Sequence, residues 1–192
     1  MCRLADERTS ELQLVKAAQR GSTEAFATLV RLHADRVHAF ILRMTRDPDL
    51  ALDLTQETWL KAFRGLSSFT FESSFSTWLC RIGHNTVISW ARAKKARPQV
   101  TSSLGEEGSP HIEPAVHEEA GSDLMLHEEH ERALAALAHL PDDLRAILIL
   151  RDIDDRSYED IALILEIPAG TVRSRLFRAR EKLRTWLSGP QT

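Results

Sequence analysis

Ser174, Phe177 and Arg178 fall on one side of a helical repeat near the C-terminus, opposite Val172, Leu176, Ala179 and Leu183 at about 100° per residue. Arg173 and Arg184 flank them along one edge, and Arg175 and Lys182 along the other. From Gly170 onward the chain carries six basic residues against one acid, Glu181, a net +5. A guanidinium fork can donate to guanine O6 and N7, an apolar edge can touch a thymine methyl, and outlying cations can clamp phosphates. This is the chemistry of a helix that reads the DNA major groove, with Arg173, Ser174, Arg175, Phe177, Arg178 and Arg180 as candidate contacts. The blander reading is a solvated basic helix closing a bundle, and the outward Phe177 argues against it.

The element that must position these residues is a helix pair. Ser157 and Asp160 have capping-box spacing, with Asp where Glu or Gln is usual, and start a short helix through Leu165. Glu166-Ile167 breaks it, and Pro168 suits the first turn of a second helix because its missing N–H is not needed there. Two short helices joined by a tight break make a helix-turn-helix.

Upstream, Ser10 to Arg20 reads as a short helix stopped by Gly21, and Ser22 or Thr23 caps a longer one with Phe26, Leu29, Val30, His33, Val37, Phe40, Ile41 and Met44 on its apolar stripe. Asp47-Pro48 ends it. The next helix, Asp49 to Gly65, carries two stripes where one would suffice. Ala51, Thr58 and Ala62, with Leu54 and Thr55 at the margins, form a narrow face of small residues. Leu52, Gln56, Trp59 and Phe63 form a second, edged by Asp53, Glu57 and Leu60. A surplus apolar stripe rimmed by acids suits a protein partner, and burial of both stripes in a four-helix core is the alternative.

Between Leu66 and Phe75 the periodicity fails in a stretch rich in Ser and Phe, including Phe69, Phe71 and Ser73. A helix then runs to Arg97, with Phe75, Leu79, Ile82 and Thr86 toward a core and Trp78, Arg81, Asn85, Ile88 and Arg92 along another side. Rings, an amide and arginines along one face, beside a Phe-bearing loop, suit a single-stranded nucleic acid. A Trp half-buried against the bundle is the competing reading.

The overall charge of −3 conceals segregation: residues 1–97 carry +5, 98–130 carry −8, and 131–192 carry 0. Residues 98–123, rich in Pro, Gly, Ser and Glu, read as a flexible acidic linker. His111, His117, His127 and His130 cluster in and after it, and surface histidines are favoured over a metal site because no Cys or second pair completes a ligand set. A helix over Leu124 to Leu140, a break at Pro141 and a helix begun by Asp142 and Asp143 precede the helix-turn-helix. Cys2 and Cys80 cannot build a disulfide framework, and no apolar run approaches the roughly 18 residues of a membrane span. These features predict a soluble, cytoplasmic, all-α chain: an N-terminal helical domain over 1–97, the linker over 98–123, and a C-terminal four-helix domain over 124–192. No nucleophile-base pair, phosphate loop or metal set points to an enzyme or a cofactor.

Asp53-Leu54-Thr55-Gln56-Glu57-Thr58-Trp59, Phe75-Ser76-Thr77-Trp78-Leu79-Cys80-Arg81-Ile82 with Asn85, Leu140-Pro141 with Leu144-Arg145, and Tyr158-Glu159-Asp160-Ile161-Ala162 through Gly170 to Leu176 occur in this order. In these motifs the chain resembles the extracytoplasmic-function sigma factors of bacteria, over nearly its whole length, and most of all the envelope-stress type. The resemblance implies a factor that binds core RNA polymerase, directs it to promoters and helps to open them. It implies polymerase contacts at Leu52, Asp53, Gln56, Glu57, Trp59 and Phe63, and minus-ten DNA contacts at Phe69, Phe71, Ser73, Trp78, Arg81, Asn85 and Arg92. The C-terminal reader would then take the minus-thirty-five element, the acidic linker would thread the polymerase channels, and an anti-sigma protein would be a further partner. Phe71 departs from the pattern, standing where the family usually has glycine. The alternatives are a polymerase-independent helix-turn-helix regulator with an N-terminal dimerisation or sensing domain, and a metal-responsive protein using the linker histidines.

Overall fold

A computed structural model describes residues 2–96 and 135–188, with only the backbone for 2–9. Helix α1 (Cys2–Gln19) is longer than the pattern from Ser10 indicated, because its first turns lack an apolar stripe to announce them. Gly21, at φ 98°, turns the chain, and Ser22 Oγ accepts the Ala25 N–H at 3.2 Å to cap α2 (Thr23–Thr45). Arg46 closes α2 in the left-handed region, its N–H donating to Leu42 O. Asp47 caps α3 (Pro48–Gly65) through Leu50 N, and Pro48 takes the first turn, so the dipeptide that ends one helix also begins the next.

A single 3₁₀ turn (Leu66–Ser68) leads into the Phe-bearing loop. Ser74 Oγ then accepts the Thr77 N–H at the head of α4 (Phe75–Ala96). Leu29, Phe40, Ile41, Leu54 and Leu79 fill the N-terminal core, each removal from water contributing about 1.5–3 kcal/mol. Ala51, Thr58 and Ala62 are fully buried, and the Gly83 position of α4 lies 3.7 Å from Ile41 and Thr58 when its Cβ is considered. The small-residue face of α3 is therefore the seam on which α2 and α4 close. Of the second stripe, Leu52, Gln56 and Phe63 stay outside and Trp59 is half-buried, so one face of α3 is fully buried and the other is not.

The C-terminal unit contains α5 (Asp142–Leu148), α6 (Tyr158–Leu165) and α7 (Ala169–Ser188). A π-helical turn over Ile149–Ile153 extends α5, and the unbroken apolar run gave no sign of it. Ile147, Ile149, Leu150, Ile161, Ile164, Val172 and Leu176 are its core. Among the described residues every regular element is helical. The linker, its histidines, and all of the Leu124–Leu140 segment before residue 135 lie outside them.

Arg145 is the one buried arginine in the described core, and its guanidinium is occupied on all sides. Nε donates to Leu137 O (2.9 Å), Nη2 to Ala138 O and Leu140 O (3.2 and 2.8 Å), and Nη1 to Asp142 Oδ1 and Met44 O (both 3.0 Å). One planar cation thus caps the carbonyls before Pro141 and ties them to the end of α2. Replacing Arg145 by Ala leaves these carbonyls unserved and is expected to lower unfolding free energy by about 3 kcal/mol. Lys should recover little, since a point charge cannot span the fork. Urea titration followed by circular dichroism measures this, and a change below about 0.5 kcal/mol would show that the carbonyls do not depend on the guanidinium.

Candidate nucleic-acid interface

The α7 face forms as its spacing demands. Val172, Leu176 and Ala179 are buried against α5 and α6, and Phe177 stands outward at 67% exposure. Ser174 Oγ donates back to Thr171 O at 3.0 Å. The arginines divide by partner. Arg175 lies 3.6 Å from Asp143, Arg180 binds Asp152 through Nε and Nη2, and Arg184 pairs with Glu181 on its own helix. Hydrogen bonding to Asp152 pushes the Arg180 pKa up, so its cation is committed to the turn before α6. Arg173 and Arg178 are exposed and pair with no acid among the described residues. Arg178 and Phe177 share a groove with Leu144, Arg175 and Lys182. Two free guanidinium groups beside an exposed ring are a usable set of major-groove donors and apolar edge.

On α3, Leu52 and Phe63 are each 54% exposed, Gln56, Asp53 and Glu57 are exposed beside them, and Trp59 is half-buried. Phe26 of α2 packs edge-on against Trp59 and Phe63, with centroids at 6.0 and 5.0 Å. These two rings are therefore fixed in place while Leu52 and Leu60 present apolar surface to solvent. Leu32 of α2 is exposed as well, a residue that the pattern of α2 alone did not single out.

The loop and α4 give a different result from simple outward display. Phe69 is buried, and its ring meets Phe71, Phe75 and Trp78 at 4.9, 6.1 and 5.2 Å. Trp78 is only 8% exposed, so its ring is a wall of this aromatic cluster. Phe71 adopts φ 65°, the left-handed region that favours glycine, and its ring lies on Phe69 under the Lys16 ammonium. The loop thus keeps the backbone shape of a glycine position while adding an aromatic side chain, at a cost of order 1 kcal/mol. Gln19 holds the loop by donating to Leu66 O and Phe69 O.

Ser73 is half-buried, its hydroxyl directed to Ser74 O. Arg81, half-buried, lines a cavity of about 120 Å³ with Phe69, Ser73, Thr77, Trp78 and Leu163. Asn85 and Arg92 are exposed further along α4. Burial pushes the His84 pKa down, and the neighbouring Asn85 side chain works in the opposite direction. Among the described residues no group of three or more His, Cys, Asp or Glu side chains is arranged to hold a metal ion.

The model of sigma-70 region 2 matches residues 29–97, and that of sigma-70 region 4 matches residues 130–183. The RNA polymerase sigma-H factor of Pseudomonas aeruginosa is 40% identical over 177 residues, covering 89% of this chain and 90% of that protein. The ECF RNA polymerase sigma-E factor of Haemophilus influenzae is 37% identical over 181 residues, covering 92% and 95%. Among solved structures, the sigma factor RpoE of Bartonella quintana, in complex with the anti-sigma factor NepR, shares 29% identity with a TM-score of 0.70 over 88% of this chain and 100% of that one. CnrH, in complex with the cytosolic domain of CnrY, has the same fold at 22% identity and a TM-score of 0.69, over 95% and 99%.

Cys80 sits on the core side of α4, and burial pushes its thiol up from 9.0 to about 12. The folded chain therefore keeps the thiol neutral over a range in which the unfolded chain ionises it. Stability from this source is intact below pH 9.0 and is lost as pH rises toward about 12, at about 1.4 kcal/mol per unit. In Cys2→Ser protein at pH 8, Ellman's reagent should find no fast thiol in the native chain and one equivalent in denaturant. A fast native thiol would contradict the burial of Cys80.

Proposed function

As the chain belongs to the extracytoplasmic-function sigma factors of the sigma-70 family, we propose how its surfaces divide the work of directing RNA polymerase to promoters. The family performs no reaction of its own, and catalysis belongs to the polymerase. Matches to both sigma-70 regions set aside a polymerase-independent regulator.

The observation that carries the division is the exposed stripe of α3. Leu52, Gln56 and Phe63, rimmed by Asp53 and Glu57, present an exposed apolar stripe suited to a protein partner rather than to DNA. This face docks on the polymerase, with Trp59 stiffened behind it by Phe26. The loop from Phe69 to Ser73 and the α4 face with Trp78, Arg81, Asn85 and Arg92 take the melted non-template strand of the minus-ten element. Helix α7 takes the minus-thirty-five duplex, where Arg178, Arg173, Ser174 and Phe177 meet bases, while Arg175 and Arg180 reach phosphates after exchanging their carboxylates.

Melting is driven by binding energy: unstacking costs a few kcal/mol per step, and capture of an extruded base on aromatic side chains returns about 1–3 kcal/mol. Two readers on one chain raise the effective concentration of the second contact once the first has formed. The domain limits 1–97, 98–123 and 124–192 belong to the same reading. The acidic linker occupies polymerase channels, and the chain works in the cytoplasm. No helix among the described residues is long and apolar enough to cross a membrane. An anti-sigma protein, of the kind solved with the Bartonella quintana relative, is its antagonist.

Leu52→Asp with Gln56→Ala should weaken binding to core polymerase at least tenfold while leaving the helix content unchanged. Unaltered affinity would remove the α3 stripe from the interface. Arg178→Ala should lose discrimination at one upstream base pair, by about 1–3 kcal/mol, in competition binding with substituted promoters. Equal weakening on every sequence would make Arg178 a phosphate contact instead.

A further inference from the structure

We propose that the Phe-bearing loop holds two nucleotides of the strand, one on each side, and that Phe71 with Lys16 of α1 makes the second site. The inference rests on the assignment of this loop to the minus-ten strand. Thr70 and Glu72 line the cavity of about 120 Å³ that Trp78 and Arg81 wall. Phe71 turns to the opposite side, where a larger cavity of about 550 Å³ lies between the loop, Leu12 and Val15 of α1, and the C-terminal unit. Phe69 and Ser73 line both cavities. The loop is therefore a thin partition with an aromatic wall on each side.

The backbone marks Phe71 as a residue kept for more than packing. It stands at φ 65°, a region that penalises a bulky side chain, and such strain persists where the side chain has a use. Core filling is not that use, since Phe71 is 38% exposed whereas Phe69 beneath it is 6% exposed. One face of the ring meets Phe69 with centroids at 4.9 Å. Gln19 ties the main chain below by donating to Leu66 O and Phe69 O, so the ring sits on a fixed base. Lys16 Nζ lies 5.8 Å from the ring centroid, and this exposed side chain pairs with no acid among the described residues.

A fixed ring open to water beside an unpaired ammonium suits one nucleotide of a single strand, with the base on the ring and the phosphate on the cation. The other charged groups of the cavity are engaged elsewhere. Glu11 Oε1 lies 2.7 Å from His33 Nε2, Asp160 accepts from Thr77 and Ser157, and Arg156 donates to Ser76. Lys16 is thus the cation placed to meet a strand that passes over the ring. Because every base has a π-face, this site adds grip on the strand without demanding one base.

The test uses holoenzyme assembled from core polymerase and the full chain, bound to the non-template strand of a promoter that it transcribes. Each base across the minus-ten element is removed in turn, and fluorescence anisotropy reads the affinity. Phe71→Gly removes the ring and relieves the backbone, so circular dichroism should show an unchanged helix content. This variant should bind the intact strand about tenfold more weakly and become indifferent to the base at one position that the unaltered chain senses, while still sensing a neighbouring one. Phe71→Tyr should restore the lost sensitivity, and Phe71→Leu, which has bulk but no aromatic face, should not. Lys16→Gln should weaken binding a few-fold and lower its salt dependence, and an unchanged affinity and salt slope would remove Lys16 from the site. If Phe71→Gly binds as the unaltered chain does, or binds more weakly while every position stays sensitive, as a merely slackened loop would, the second site is overturned. Arg81→Ala isolates the reading beneath it. If Arg81→Ala weakens binding and Phe71→Gly does not, only the second site fails; if neither variant weakens binding, the assignment of the loop to the strand fails with it.

Discussion

The close approach of α2 and α4 across α3 is the constraint from which the N-terminal surfaces follow. Ala51, Thr58 and Ala62 leave no room at the seam for larger side chains, so α3 has to place Leu52, Leu60 and Phe63 elsewhere. Thr58 is compatible with that dry seam because its hydroxyl donates to Leu54 O at 2.7 Å, within its own helix. A face of large apolar residues is thereby left to solvent on a rigid support. Such a surface is a liability for a solitary protein and an asset for a subunit. Phe26 limits the liability by packing on Trp59 and Phe63, which also fixes the geometry in which a partner meets them.

The two units are joined by two kinds of contact. Buried apolar side chains of both form one continuous core, and directed polar bonds run between them through Thr77, Ser76, Asn85, Arg43 and the main chain at Met44. Arg145 contributes to the second kind, since one of its bonds reaches α2 while the others organise the approach to α5.

Most helices were legible from period and punctuation. Ser22, Asp47-Pro48 and Ser157 act as the caps their types and spacing imply, and the small-residue face of α3 was visible as a face before its partners were known. The start of α1 and the π-helical turn after α5 were not legible, one for lack of periodicity and the other inside a continuous apolar run. Trp78 shows the limit of face reasoning. The repeat placed it with Arg81 and Asn85, but Phe69 and Phe75 draw its ring into their cluster. The bond from Thr77 to Asp160 spans 83 residues and leaves no local pattern to find. Local chemistry thus announced the elements and their candidate faces, and only the tertiary structure shows which faces are covered.

This chain acts as a polymerase subunit rather than as a free-standing DNA reader. Run-off transcription with purified core polymerase, on a library of promoter fragments, separates the two roles. Specific transcripts should appear only when chain and core are both present, from fragments sharing a minus-thirty-five and a minus-ten element. Tight, sequence-specific duplex binding by the chain alone, with no transcript when core is added, would contradict the subunit role.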